Sequence, residues 1–150
     1  MTTSQAVQTS DAPPKAAFIL GGLGLLPFLG LALLSHLGEP TLTHLASRAL
    51  VAYGSVILSF LGGIRWGLAL APTTTQVGLR LSQSIIPSLI GATAVLLPTL
   101  AATLLLSLSL LTLLWLDMRL ARSHAAPSWY PKLRWPLTLG ACVSLLSLWL

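Results

Sequence analysis

The sequence predicts an all-α membrane protein, a bundle of five transmembrane helices with the N-terminus inside and the C-terminus outside. Three observations lead there. Hydrophobic residues make up 55% of the 150-residue chain, charged residues only 7%, and mean hydropathy is +0.86. A soluble domain carries roughly 25% charged residues, so this chain cannot clothe a water-facing surface. Apolar runs of about membrane length recur at residues 16–37, 48–71, 81–97, 100–116 and 135–150. Finally, the few basic residues segregate to one side of that arrangement.

The chain is expected to divide into a short tail, residues 1–15, and one bundle, residues 16–150. The tail is rich in Thr, Ser, Gln and Ala and suits disorder. No arginine occurs before Arg48, which argues against a transit peptide. Residues 16–37 are long for a signal-peptide core and lack a clear A-x-A ending, so they read as a retained first span. Within that span Pro27 removes a backbone hydrogen bond and predicts a kink covered by a neighbouring helix.

Residues 36–47 hold His36, Glu39, Pro40 and His44 and are expected to form a polar loop. Two histidines without a third His or a Cys beside them make a poor metal or haem site, so no cofactor or metal is expected. The single Cys142 lies in an apolar run and reads as a packing residue.

The second span is the organising element. Ser55, Ser59, Gly63, Gly67 and Ala71 recur every fourth residue and predict a groove of small side chains where another helix can approach. Ser84, Ser88 and Ala92 on the third span form a candidate row to face it. The run from Leu81 to Leu116, as one helix, would be about 54 Å long, too long for an ordinary bilayer. A hairpin at Pro98-Thr99 is therefore expected. Residues 120–134 interleave Arg122, His124, Trp129, Tyr130, Lys132 and Arg134 with prolines, which describes a segment at headgroup level. The fifth span then closes the chain on Trp149-Leu150.

Five spans put Lys15, Arg65, Arg80, Arg119, Arg122, Lys132 and Arg134 on the inner side and Arg48 alone on the outer. Trp66, Trp115, Trp129, Tyr130 and Trp135 map to the inner interface as anchors. The net charge of +5 and pI near 10.4 do not indicate nucleic-acid binding, because no soluble surface exists on which to build a basic patch. Arg65 and Asp117 end two spans that run the same way and reach nearly the same depth, so an intramembrane ion pair is geometrically permitted. The alternative leaves Arg65 snorkelling to phosphate and Asp117 in water.

Tyr53-Gly54 followed by Leu58-Ser59-Phe60-Leu61-Gly62-Gly63-Ile64-Arg65-Trp66-Gly67 resembles the hallmark of domain of unknown function 3429, a family of small bacterial and mitochondrial membrane proteins. Leu26-Pro27-Phe28, Asp117 and Pro127-Ser128-Trp129-Tyr130-Pro131-Lys132-Leu133-Arg134 resemble that family's pattern as well. The resemblance implies a multi-span protein of a bacterial or mitochondrial inner membrane, and it supplies no activity. The missing Arg-rich presequence favours the bacterial inner membrane.

No enzyme is expected. The three acids, Asp11, Glu39 and Asp117, are scattered over a tail and two membrane ends, and no catalytic triad, metal cluster or phosphate loop appears. The reading that remains is an accessory or assembly subunit that packs against other membrane helices, its partners being the lipid bilayer and a membrane protein or a second copy. A small transporter or channel is the alternative, with Ser55, Ser59, Ser84, Ser88, Thr93 and Thr103 as modest candidates for a polar path.

Overall fold

The computed structural model describes residues 15–70, 76–122 and 129–150. They form five α-helices, α1 (Lys15–Leu37), α2 (Pro40–Ala69), α3 (Val77–Leu96), α4 (Thr99–Arg122) and α5 (Tyr130–Leu146), with a 3-10 turn at Ser147–Trp149. Among the described residues, α1 to α4 are long and apolar enough to cross a membrane, and α5, at 17 residues, is shorter.

Each expected span overlaps one of these helices, but every helix begins before the expected start. Residues 36–47 are not a loop. Pro40 sits in the first turn of α2, where its missing N–H costs nothing, and Glu39 accepts from the Thr43 N–H at 2.9 Å. The helix therefore begins at Pro40, and His44 lies on it. The same chemistry operates at Pro131, in the first turn of α5, so residues 130–134 are helical rather than a loop. Between α3 and α4 the break falls where a hairpin is expected. Leu97 turns to extended backbone and Pro98 cannot continue the helix; the Ala102 N–H returns to the Pro98 carbonyl at 2.9 Å to start α4. Of the expected tail, residues 1–15, Lys15 is the first residue of α1 and residues 1–14 lie outside the described residues.

Neighbouring helices form a ring in chain order, with α5 returning to α1, and α2 leans inward to meet α4 and α5 as well. Leu50 and Leu58 of α2, Leu106 and Leu110 of α4, Leu145 of α5 and Phe28 of α1 fill the centre. Lipid is as apolar as leucine, so this core is held by close packing more than by exclusion of water. Glycines set how near the helices come. A Cβ on Gly62 would stand 2.6 Å from the Ser84 carbonyl oxygen, and one on Gly91 would stand 2.9 Å from that of Ser55. Both obstacles are backbone, so α2 and α3 touch main chain to main chain. Between α1 and α5 the room left by Gly21 and Gly140 is filled by side chains instead, the ends of Leu137 and Leu25, each 2.8 Å from an added Cβ.

Polar groups inside the bundle are mostly satisfied locally. Ser55 donates to the Val51 carbonyl, Ser59 to Ser55 and Ser84 to Leu81, each within its own helix. Pro27 is half-buried, and its missing N–H leaves the Leu23 carbonyl without a helix donor. At that weakened turn the Tyr53 hydroxyl donates to the next carbonyl, Gly24, at 2.8 Å. The Tyr53 ring meets Phe28 edge-on, centroids 5.0 Å apart.

Candidate functional site

Charged chemistry gathers at one end of the bundle, where α2 and α4 finish and α5 begins. Asp117, on the last turns of α4, is only 4% exposed. Arg65 Nη1 donates to its Oδ1 at 2.9 Å, and Arg134 Nε donates to its Oδ2 at 3.2 Å. The Tyr130 hydroxyl makes a longer contact, 3.4 Å, with the same Oδ2. A carboxylate withdrawn from water thus has both oxygens occupied by donors from two other helices, the condition for a buried charge to be tolerated.

The sequence places Arg65 and Asp117 at one depth, and the structure brings them together. Arg134 and Tyr130 were missed, because residues 120–134 read as an interfacial loop. The available signal was spacing. Tyr130, Arg134 and Thr138 fall at intervals of four and share one face once α5 starts at Tyr130. Tyr130 lies before the expected fifth span, and burial, followed by the charge of Asp117, pushes its phenol up to about 12. It therefore stays a donor at physiological pH.

The site is unbalanced. Two arginines face one carboxylate, and Arg134, 6% exposed, has a buried Nη2 with no hydrogen-bond partner among the described residues. One turn along α5, the Thr138 hydroxyl is also buried and unpartnered among them.

The small-residue row of α2 turns slowly around the helix, and α3 covers only its first part. Each step of four residues advances 400°, so a row at that spacing drifts about 40° per step around a straight helix. Ser55 and Ser59 lie under α3, where Gly91 rests on them, whereas Gly63 and Gly67 point away, with nothing within 4 Å of an added Cβ. The helix contact instead continues through Gly62. Its counterpart on α3 is Ser84, Pro87, Gly91 and Ala94, all buried, rather than Ser84, Ser88 and Ala92, since Ala92 is exposed. Ala71 lies outside the described residues.

Trp66, Trp115 and Trp135 are exposed at the end that holds Asp117, with Trp129 and Tyr130 half-buried beside them. The Arg119 guanidinium lies 3.6 Å above the Trp115 ring, and the Trp135 indole N–H donates to Met118 Sδ at 3.2 Å. Trp129 and Tyr130 meet edge-on. At the opposite end, the Trp149 N–H donates to Thr103 Oγ1 at 3.1 Å, and His36 lies 3.4 Å from the Ser147 hydroxyl.

Comparison with known proteins finds a match over residues 13–150 to the family described as "Protein of unknown function (DUF3429)". "Transmembrane protein 69" of Xenopus tropicalis is 36% identical over 138 residues, covering 89% of this chain and 53% of that protein. The chain therefore spans about half the length of the curated relative it matches. No solved structure matches.

Proposed function

This chain belongs to the DUF3429 family and is an integral membrane protein, and we propose that it is a non-enzymatic accessory or assembly subunit that docks against other membrane helices. The observation that carries this reading is the outward half of the small-residue row. Gly63 and Gly67 are open on α2, and Val56 and Phe60, 62% and 63% exposed, stand beside them. Two missing side chains next to an aromatic knob make a notch into which a second helix can bring its backbone. Further support comes from the serines and threonines named for a transport path. Thr93 donates to Leu89 and Thr103 to Leu100, as Ser55, Ser59 and Ser84 do within their helices, which leaves few hydroxyls to line a path.

In this reading residues 135–150, the part of α5 beyond Arg134 and the turn after it, make the fifth span, and the end that holds Asp117 faces the inside of a bacterial inner membrane. The seven-to-one distribution of bases supports that orientation. The experiment is extraction of the tagged protein from its native membrane in mild detergent, with mass spectrometry of what co-purifies. A stoichiometric membrane protein retained by wild type and lost in Gly63→Leu supports the reading. A lone species, unchanged by that substitution, sinks it.

A further inference from the structure

We propose that the groove between α1, α2 and α5 binds an acidic phospholipid, with the headgroup anion on Arg134 and one acyl chain laid along the groove. The cavity measures about 370 Å³, within the roughly 300–1,000 Å³ of small-molecule sites. Leu20, Gly24 and Phe28 from α1, Phe60 and Ile64 from α2 and Leu137 from α5 make walls that only an apolar chain would fill. Leu20 and Phe60 are 66% and 63% exposed, so the mouth opens sideways, where acyl chains are.

Tyr130, Arg134 and Thr138 supply the polar wall. Two of the three carry buried atoms that the described residues leave unpartnered, Arg134 Nη2 and Thr138 Oγ1. A buried donor without an acceptor is costly, and a guanidinium donor more so, which points to an acceptor supplied from outside the chain. Charge selects the sign. Arg65 and Arg134 carry two positive charges against the one negative charge of Asp117, whose two oxygens are already engaged. An anion cancels the remaining charge, and the flat guanidinium suits a phosphate. Depth agrees too. The site lies at the end of the bundle that carries Trp66, Trp115 and Trp135, the side chains that settle at headgroup level. Thr138 lies about 6 Å farther along α5 by helix rise, where a glycerol ester carbonyl would follow the phosphate.

The test is native mass spectrometry of the delipidated full-length protein in detergent, titrated with phosphatidylglycerol or with phosphatidylcholine of the same chains. Wild type is expected to hold phosphatidylglycerol about tenfold more tightly than phosphatidylcholine, the scale of one charge-assisted hydrogen bond. Arg134→Gln is expected to remove that preference. Thr138→Val keeps the shape and discards a hydroxyl that no described residue uses, so it should weaken the lipid while leaving thermal stability equal or higher. Gly24→Leu extends into the groove, where an added Cβ finds its nearest atom at 3.9 Å, and should weaken the chain contact without touching the charges. If Arg134→Gln does not fold, these two variants carry the test. Equal affinity for the two lipids, or undiminished binding in Thr138→Val and Gly24→Leu, overturns the proposal. So does inorganic phosphate protecting as well as phosphatidylglycerol, or a neutral isoprenoid quinone displacing it.

Discussion

Asp117 on α4 accepts a hydrogen bond from Arg65 on α2 at 2.9 Å, although 52 positions separate them in the chain. Because Arg134 occupies the other carboxylate oxygen, Asp117 is shared, and the two arginines are not equivalent to their acid. Asp117→Asn leaves two positive charges facing each other in a buried site. A loss of about 3–5 kcal/mol is expected, as when a buried pair loses one member. Arg65→Leu leaves one charge of each sign and should cost less, about 1–3 kcal/mol. Thermal unfolding of the two variants in one detergent checks the order, and a larger loss for Arg65→Leu would contradict it.

The glycines of α2 should separate into two classes. Gly62→Ala, and Gly91→Ala on α3, drive a methyl into backbone 2.6 Å and 2.9 Å away and should each cost about 1–3 kcal/mol. Gly63→Ala and Gly67→Ala meet nothing and should be neutral or stabilise the isolated protein by up to about 1 kcal/mol through helix propensity. Melting temperatures in detergent, where a partner protein is absent, decide between the classes.

Much of the fold was legible because hydropathy reports what lies in lipid. It marked every helix, and the length limit forced the break at Pro98. It could not mark helix beyond the apolar part, which is why α2 starts eight residues before the expected Arg48. His44 and Thr43 look like loop residues to a hydropathy scale, yet Pro40 had already started the helix. The small-residue row of α2 was legible as a row, but not which part of it α3 covers. A spacing of four describes a stripe that turns with the helix, and only the packing of α3 determines where it leaves the interface. At the charged site, two helices of the same direction sufficed to put Arg65 and Asp117 at one depth. Arg134 needed the start of α5, which the prolines around it concealed.

Tyr130 offers a spectroscopic check on the charged site. Its pKa is raised to about 12 from an ordinary 10, so it favours the folded state below pH 10, and this contribution is lost as pH climbs from 10 to 12. The chain contains two tyrosines, so Tyr53→Phe makes Tyr130 the only phenol. Absorbance at the phenolate band in that variant should stay flat to beyond pH 10 and rise only near 12. A rise centred at 10 would mean that Tyr130 is solvated. The same variant loses the hydrogen bond to the Gly24 carbonyl and should be less stable by about 1 kcal/mol.

Orientation can be read by labelling. Cysteines placed at Lys132 or Arg80 should react with a membrane-impermeant maleimide only when the cytoplasmic face is opened. Cysteines at His44 or Thr41 should react in intact cells. The native Cys142 is 5% exposed and should stay silent in both. Labelling at positions 80 and 132 in intact cells, with positions 41 and 44 silent, would reverse the proposed orientation.

Only Leu97 and Pro98 separate α3 from α4, and neither carries charge or length enough to hold a separate helix end in water. The two helices therefore form one tight hairpin, with Asp117 near the end of its second limb. During synthesis Arg65 is delivered early and waits without its acid until that hairpin is complete. Arg134 comes last, to a carboxylate already half-engaged. The charged site therefore joins residues from the second, fourth and fifth helices, and it is complete only when the last of them is in place.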